Sequence, residues 1–423
     1  MFRRDLWQPE KILTRKRKGQ RRSITKANAP KPSTLDLFFY GAVAKDQEPR
    51  DRHEKSSTRK QQARSTNRHT SVPTHLAPAK PTEVYDSYWR FAAERQEVFF
   101  RRSRGEPWPW TSDPVIGAYK FTNAYRASDR VSQYLIRHVI YRADLPASET
   151  EQCFRILLFK LFNKIETWQL LEENFGKITY ANYEFRHYDT VLSAAMQAGS
   201  RIYSAAYIMP PGGSSFGHTA KHQNHLRLLE LMMKNELPKR LAEARSMQEG
   251  FELLRSYPTI GDFLAYQFVT DINYSTITDF SEMEFVIPGP GARDGLSKCF
   301  SDTGGLNEAE VIRLMADIQE EEFERLGINF PSLWGRRLQL IDCQNLFCEI
   351  SKHARVSHPM VVGLSGRTRI KQKFTPDRTP IDFWYPPKWG INERIEATLH
   401  PTIKPTKARA TKSQLGSSKC IHL

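Results

Sequence analysis

Apolar residues recur at every third or fourth position through the middle of the chain, which is the spacing of a helix with one buried face. The clearest run contains Phe154, Leu157, Leu158, Leu161, Phe162 and Ile165. A second run, over 311–318, follows the capping pair Asn307 and Glu310 and precedes Gly327. Helices are also predicted over 128–142, 186–200, 222–246 and 261–273. Runs in which apolar and polar residues strictly alternate, as in a strand, are short everywhere. The fold is therefore expected to be mainly α, with at most a small β element near 283–288.

Both ends of the chain lack this periodicity. We therefore predict a disordered basic tail over 1–82, a helical domain over 83–366, and a Pro- and Lys-rich, largely disordered tail over 367–423. Lys and Arg exceed Asp and Glu by 20 to 7 in residues 1–80 and by 12 to 4 in 367–423, whereas 81–366 holds 31 against 36. The net charge of +16 thus comes from the two ends. Basic arms bind polyanions such as DNA through counterion release, although an ordinary solvated tail has the same composition.

Two short segments of the first tail predict a location and a partner. Residues 15–18 and 21–22 are all Lys or Arg, which is typical of a nuclear localisation signal, so the protein is expected in the nucleus. Leu35, Phe38 and Phe39 form a one-turn apolar plug. This plug resembles the peptide by which replication and repair proteins bind the sliding clamp. Pro32 replaces the Gln usual in that peptide, and docking of the segment on its own domain is the alternative.

Several classes of protein are disfavoured by what the chain contains. Five cysteines without paired spacing argue against a disulfide framework or a zinc ribbon, and no apolar run approaches the ~18 residues of a membrane span. An intracellular protein without a membrane partner is therefore expected. His218, His222 and His225 share a helical spacing but lack further metal ligands nearby, so no metal site is expected, and surface or capping roles are predicted for them.

The sharpest local pattern covers 254–265. An apolar helix end, a tight turn at Pro258-Thr259-Ile260-Gly261 and a second helix predict a helix-hairpin-helix. Such a turn exposes backbone N–H groups that can bind a DNA phosphate without reading the bases. Thr259 stands where the motif usually has a glycine, and an ordinary helix corner is the alternative. In DNA glycosylases with this hairpin, an Asp beyond it faces the extruded base. Asp271 and Asp279 are the candidates here, and Asp279 has the better spacing.

A stiff loop and three polar clusters follow the same logic of phosphate and base binding. The segment 285–295 holds two Pro-Gly pairs followed by Arg293, which predicts a loop that cradles a phosphate. The polar clusters comprise Arg126, Asp129 and Arg130; Asn163, Lys164, Thr167 and Trp168; and Gln339, Asp342, Gln344, Asn345, Glu349 and Lys352. Salt-bridged helix ends explain each cluster separately, whereas their recurrence on three helices favours a shared site.

The order of these motifs resembles the helical domain of the 5-hydroxymethyluracil DNA kinases, a family also described as the alpha-glutamyl/putrescinyl thymine pyrophosphorylase group. The resemblance covers about 85–360, and its most specific piece is Pro288-Gly289-Pro290-Gly291-Ala292-Arg293. It implies a helix-hairpin-helix, DNA-glycosylase-like fold and a function in the hypermodification of thymine-derived bases. DNA is the expected partner, and ATP and Mg²⁺ are the expected cofactors if a nucleotide is used. No Gly-x-x-x-x-Gly-Lys-Ser/Thr occurs, so such a nucleotide site is not a P-loop.

The resemblance implies phosphoryl or pyrophosphoryl transfer to 5-hydroxymethyluracil in DNA. The expected catalytic residues are Asp279, as the base that activates the hydroxyl group, with Asp271 and Arg293. An extruded base is expected against Trp168. The DNA- and phosphate-binding candidates are Arg126, Arg130, Asn163, Lys164, Trp168, Thr259, Gly261, Gly289, Gly291, Asp342, Glu349 and Lys352. Two alternatives stay open: a non-catalytic DNA-binding adaptor at replication or repair sites, and a monofunctional base-excision DNA glycosylase in which Asp279 activates water.

Overall fold

Helices dominate the computed structural model, which describes residues 76–377 and 382–399. The α-helices in this part of the chain are α1 (Glu83–Ser103), α2 (Pro114–Ala118), α3 (Arg130–Tyr134), α4 (Glu149–Phe162), α5 (Ile165–Phe175), α6 (Phe185–Gln197), α7 (Gly213–Phe216), α8 (Lys221–Lys234), α9 (Leu237–Glu243), α10 (Met247–Arg255), α11 (Asp262–Ile272), α12 (Pro290–Cys299), α13 (Glu308–Asp317), α14 (Gln319–Arg325), α15 (Leu340–Ser357) and α16 (Asn392–Leu399). Two short strands, β1 (Lys80–Pro81) and β2 (Phe300–Asp302), pair antiparallel. The predicted mainly α class is confirmed.

The predicted segments of the first tail lie outside the described residues. These are the nuclear localisation signal and the plug formed by Leu35, Phe38 and Phe39. Both stay predictions. None of the helices in the described residues combines the length and the apolar composition that a membrane span requires.

Two helices begin and end where the sequence signals place them. In α13, the Asn307 side chain accepts the backbone N–H of Glu310 and the Glu310 carboxylate accepts that of Asn307, which is the predicted capping box. In α4, Ser148 caps the first turn and Asn163 ends the helix in the left-handed conformation, with φ of 48°. The apolar run predicted through Ile165 is therefore divided between α4 and α5, because Asn163 turns the chain.

Two predicted elements differ from the structure. The helix predicted over 222–246 is broken into α8 and α9, because Glu236 takes the left-handed conformation with φ of 53° and Pro238 cannot donate to a preceding carbonyl. The β element predicted near 283–288 is wrong, since that segment is irregular. Its carbonyls at Met283 and Glu284 accept hydrogen bonds from the Arg313 guanidinium instead of from a partner strand.

The core has two connected parts. In the first, α12 packs against α15 so closely that a Cβ added at Gly295 would lie 1.9 Å from the Phe347 carbonyl oxygen. Helix α1 covers this pair with the buried rings of Tyr88 and Trp89. In the second, α4 is surrounded by α8, α9 and α11, and every residue from Gln152 to Phe162 is buried. A charged residue on that stretch of α4 therefore has no route to solvent and needs an internal partner.

The packed region extends past the boundary predicted at residue 366. Phe383, Tyr385, Ile391 and Ile395 are buried, and the Tyr385 hydroxyl lies 2.8 Å from Ser128 Oγ. These aromatic and β-branched residues stand among prolines and lysines. The composition of the segment therefore predicted a tail and did not reveal their contribution to the core.

Candidate functional site

Three charged side chains meet in the interior, where α11 packs against α4. Arg126 Nη1 lies 2.6 Å from one carboxylate oxygen of Asp271, and Lys160 Nζ lies 2.6 Å from the other. All three side chains are 3% exposed or less. We call Arg126, Lys160 and Asp271 the central ion cluster. Its two cations and one anion leave a positive charge in the interior of the domain.

Further hydrogen bonds fix the cluster in place. Arg126 Nε donates to Gln267 Oε1 at 3.1 Å, and Arg126 Nη1 donates to the Tyr274 hydroxyl at 2.9 Å. The backbone N–H of Arg126 donates to Asp342 Oδ1 at 2.8 Å. Lys160 Nζ also donates to Asn163 Oδ1 at 3.0 Å. Four predicted site residues, Arg126, Asn163, Asp271 and Asp342, therefore lie together, although they come from distant segments.

Burial and the neighbouring charges have opposite effects on the pKa values of the cluster. Burial opposes ionisation of Asp271, yet the charges of Arg126 and Lys160 outweigh it and hold its pKa below the usual range. Burial lowers the pKa of Lys160, and the Arg126 charge lowers it further against the attraction of Asp271. Burial also raises the pKa of Asp342 to about 7, even though this carboxylate accepts two backbone N–H groups. The cluster can therefore offer positive charge and hydrogen-bond donors to a polar ligand.

A small cavity lies where the Pro-Gly loop starts α12. Its volume is about 70 Å³, and it is lined by Pro290, Gly291, Asp294, Cys348, Ser351, Lys352, Arg355, Ser365 and Arg367. This is well below the roughly 300–1,000 Å³ of pockets that hold drug-sized ligands, so its size suits one phosphate group and not a whole nucleotide. Three of the lining side chains are cationic, and the helix N-terminus adds its own positive end. We call this space the α12 cavity.

The cations of the α12 cavity are held in different ways. Lys352 pairs with Glu349 at 2.7 Å and also donates to the Lys120 carbonyl at 3.1 Å. Arg355 Nη1 donates to the Arg369 carbonyl, but its Nε is buried with no hydrogen-bond partner among the described residues. Asp294 does not oppose an anion strongly, because Ser351 Oγ and the Ser365 amide already donate to it. The cavity therefore combines three cationic side chains with one carboxylate that already accepts two hydrogen bonds.

The segment of the predicted hairpin consists of two packed helices, α10 and α11, joined by residues 256–261. Thr259 takes the left-handed conformation with φ of 68°, which explains why the motif usually has a glycine there. Gly261 caps α11 in an exposed position, and a Cβ added to it would meet nothing within 4 Å. The turn is therefore open to solvent, as binding to a DNA backbone requires.

Several predicted site residues lie elsewhere. Asp279 is 89% exposed and lies 3.5 Å from Lys388, so it does not face the central ion cluster. Arg293 pairs with Glu308 at 2.9 Å and does not line the α12 cavity, although Gly289 and Gly291 begin the helix there. Trp168 is fully buried, edge-on to Phe159, and has no face open to a base.

The remaining predicted cations lie on the surface near one carboxylate. Arg130 and Lys164 are each 3.9 Å from Glu166, and Arg130 is mostly exposed. Exposed pairs at this distance contribute little to stability. They are available to a polyanion but do not form a pocket.

Sequence reasoning missed Lys160, Tyr207 and Arg355. Lys160 stands inside an apolar run, and its full burial follows only from the helices around α4. Tyr207 lies in the irregular segment between α6 and α7, with its ring over Lys160. Arg355 lies one helical turn beyond Lys352, the last residue of the predicted cluster on α15. Extending the predicted polar face by one turn would have included it.

Two of the histidines for which surface or capping roles were predicted are core residues. His222 Nε2 lies 2.8 Å from Asp189 Oδ1, and His222 is 2% exposed. His225 Nε2 lies 2.7 Å from the Pro210 carbonyl, and its Nδ1 lies 2.8 Å from the Tyr203 hydroxyl. A carbonyl only accepts, so a neutral ring with its proton on Nε2 satisfies both contacts. Burial lowers the pKa of His225 to about 4, although the bond to Pro210 favours the cation.

This burial predicts a pH-dependent stability. Because the pKa of an unfolded histidine is about 6.5, the unfolded chain takes up a proton between pH 6.5 and 4 that the folded protein does not bind. His225 is therefore expected to remove up to about 3 kcal/mol of unfolding free energy as the pH falls from 6.5 to 4. Urea unfolding at stepped pH measures this loss. His225→Gln keeps a donor and an acceptor but does not titrate, so an identical pH profile in both proteins contradicts the assignment.

Comparisons with known proteins agree on one family. A family model described as "5-hmdU DNA kinase, helical domain" matches residues 82–363. A 5-hmdU DNA kinase of Bacillus phage SP10 is 26% identical over 294 residues. The matched region covers 65% of this chain and 46% of the phage protein, so the chain spans less than half the length of that relative. No solved structure matches.

Proposed function

The chain belongs to the family of 5-hmdU DNA kinase helical domains, and from this premise we propose that it acts in the phosphorylation of 5-hydroxymethyluracil in DNA. Its part is to bind the DNA and to position the modified base, so that the 5-hydroxymethyl oxygen receives a phosphoryl group. The observation that carries the proposal is the family match over 82–363 together with the kinase name of the phage relative.

Three features of the fold support DNA and phosphate binding. The hairpin turn at residues 256–261 exposes Gly261 at the start of α11. The α12 cavity has the size of a phosphate group and three cationic side chains. The central ion cluster holds an excess positive charge close to the hairpin helix α11. Together these features suit a backbone phosphate at the surface and a polar base further inside.

ATP and Mg²⁺ are proposed as donor and metal, but the described residues do not form a complete site for them. The sequence has no P-loop motif. Among the described residues there is also no group of three His, Cys, Asp or Glu side chains that could hold a metal ion. Mg²⁺ in kinases is held by one or two carboxylates together with the substrate phosphates. We therefore derive no catalytic step through ATP or Mg²⁺ from these residues.

Incubation of the full chain with labelled ATP, Mg²⁺ and matched duplexes tests the proposal. The duplexes contain thymine, uracil or 5-hydroxymethyluracil at one position. Label in the 5-hydroxymethyluracil duplex alone is the expected result. Binding without label favours the second candidate function, a non-catalytic DNA-binding adaptor. An abasic product favours a glycosylase, although the exposed position of Asp279 gives that alternative no enclosed carboxylate at the predicted residue.

Arg355→Gln tests the α12 cavity. Loss of one phosphate contact is expected to weaken DNA binding about tenfold, equally for all three duplexes, and to reduce the salt dependence of binding by about one ion. Fluorescence anisotropy at several salt concentrations measures both quantities. Arg186→Gln is the matched control, because it removes one exposed positive charge from α6, which does not line the cavity. Equal losses in the two variants would mean that only total charge matters.

A nuclear location and binding to the sliding clamp through Leu35, Phe38 and Phe39 stay proposals of the sequence. The segments on which these two proposals rest lie outside the described part of the chain. Both are compatible with a DNA-modifying role, since each would bring the protein to chromosomal DNA.

A further inference from the structure

Tyr207 covers the central ion cluster with the face of its ring. Lys160 Nζ lies 4.5 Å from the ring centroid and Arg126 Cζ lies 5.9 Å from it. The Phe263 ring stacks on the Tyr207 ring, with centroids 5.8 Å apart and an interplanar angle of 13°. Phe263 directly follows Gly261, which ends the turn, and Asp262, which begins α11; both are exposed. The Tyr207 ring thus contacts both an aromatic ring and a buried cation, next to the hairpin.

The segment that carries Tyr207 is fixed by hydrogen bonds at both ends. On one side, the Ile202 carbonyl accepts from Thr167 Oγ1 at 2.8 Å, and the Ser204 amide donates to the Phe162 carbonyl at 3.0 Å. On the other side, His225 holds the Pro210 carbonyl. Between these anchors, the Ala206 amide makes a local hydrogen bond to Ser204 Oγ. Residues 205–208 thus form a short irregular segment between two anchored ends.

The backbone of Tyr207 is also in a conformation that disfavours it. Its φ is 55°, in the left-handed region that a non-glycine residue with a bulky side chain rarely adopts. The contacts of the ring must compensate for that strain. A ligand that replaces the ring and makes better contacts releases it.

The ammonium group of Lys160 lacks one good acceptor. It has three N–H groups; its Nζ lies 2.6 Å from one Asp271 carboxylate oxygen and donates to Asn163 Oδ1 at 3.0 Å. The third contact is the face of the Tyr207 ring. A π face is a weaker partner for an ammonium than a carbonyl or hydroxyl oxygen in the same buried place. The ring therefore fills a position in which an oxygen-bearing planar group would bind better.

We propose that Tyr207 is a plug in the binding site of an extruded pyrimidine base, which replaces its ring on Phe263 and accepts a hydrogen bond from Lys160. This inference rests on the proposed function, since it requires DNA whose base leaves the stack. The pyrimidine offers a flat face to Phe263 and carbonyl or hydroxymethyl oxygens to the ammonium. Residues 205–208 swing out when the base enters. The hairpin turn beside Phe263 holds the backbone that delivers the base.

Fluorescence of 2-aminopurine placed next to 5-hydroxymethyluracil in a duplex reports on extrusion, because the fluorophore loses a stacking neighbour. With the full chain, Phe263→Ala is expected to weaken binding to this duplex about tenfold and to abolish the fluorescence rise, with unchanged affinity for an unmodified duplex. Tyr207→Ala is expected to do the opposite, with affinity for the modified duplex raised roughly fivefold, since no plug has to be displaced. Tyr207→Gly, which tolerates a positive φ, repeats the test if the alanine variant folds poorly.

Phe185→Ala is the matched control, because Phe185 is another partly exposed ring that lies over an arginine, Arg227, at 3.5 Å. It is expected to change neither signal. If the Tyr207 variants bind more weakly, as Phe263→Ala does, Tyr207 is a contact residue and the plug is refuted. If they behave as the control does, the base binds elsewhere, and the phosphoryl-transfer proposal stands or falls by its own labelling assay.

A measurement without DNA separates failure of the plug from failure of the proposed function. Calorimetric titration with the nucleoside 5-hydroxymethyl-2′-deoxyuridine is expected to show binding to Tyr207→Ala that is at least roughly fivefold tighter than to the wild type. If the protein binds no DNA but gains nucleoside binding in this variant, the plug is supported and the proposed function fails. If the protein binds no DNA and the variant gains no nucleoside binding, both the plug and the proposed function are overturned.

Discussion

Asp271→Asn is expected to destabilise the protein by about 3–5 kcal/mol, which is the usual cost of removing one partner from a buried ion pair. The asparagine has the same shape but no charge. Arg126 and Lys160, both buried, then face each other without the carboxylate that lies 2.6 Å from each. A loss of this size is a large fraction of the stability of a typical domain.

Chemical denaturation monitored by circular dichroism measures the loss. Asp279→Asn is the matched control, since Asp279 is 89% exposed and its pairing with Lys388 is weak at 3.5 Å. It is expected to change the unfolding free energy by less than about 0.5 kcal/mol. An Asp271→Asn variant as stable as this control would mean that the cluster is not closed as described.

The charge of Lys160 predicts how the loss can be reversed. Adding Lys160→Met to Asp271→Asn removes the second unpaired cation, so the double variant is expected to recover at least about 1 kcal/mol. Raising the pH should act in the same direction. Burial already lowers the pKa of Lys160, and without Asp271 the neighbouring guanidinium lowers it further. The destabilisation is therefore expected to be smaller at pH 9 than at pH 6, because the folded protein then holds a neutral amine.

Local sequence signals predicted much of the fold. The capping pair Asn307 and Glu310 placed the start of α13, and the apolar spacing placed most of α4. These signals work because they act between residues three and four apart. Pro238 was the available local signal for the break between α8 and α9, because a proline has no N–H to donate within a helix. The left-handed conformation of Glu236 has no such signal in the sequence.

The sequence predicted several residues of the candidate site but not which of them contact one another. Arg126 and Asp271 were both identified, yet the sequence does not say that a carboxylate 145 residues further on meets the guanidinium. The carboxylate with the better spacing from the hairpin, Asp279, lies at the surface, because spacing along the chain does not determine which way a loop turns. The loop 285–295 was expected to use its own Arg293. The α12 cavity instead takes its cations from α15 and the segment after it, at Lys352, Arg355 and Arg367.

Gly295→Ala is expected to cost at least about 3 kcal/mol, because the added methyl group would lie 1.9 Å from the Phe347 carbonyl oxygen and 2.6 Å from its carbonyl carbon. The obstacle is helix backbone and not the end of a flexible side chain, so α12 and α15 must move apart. The same two helices supply Asp294 and Arg355 to the α12 cavity. Displacing them is therefore expected to weaken DNA binding even under conditions in which the variant stays folded.

Thermal unfolding together with DNA anisotropy distinguishes the packing effect from the effect of charge. Gly117→Ala is the matched control, since it adds the same methyl group to a glycine of α2, where the nearest atom lies 3.8 Å away. It is expected to be neutral or to stabilise slightly, as alanine does in helices.

Arg355→Gln removes a cation without disturbing the α12–α15 contact, so it should weaken DNA binding with little loss of stability. Gly295→Ala should lower both. If Gly295→Ala loses stability but binds DNA as the wild type does, the α12 cavity is not part of the DNA-binding surface, and the phosphate contact must lie at the hairpin alone.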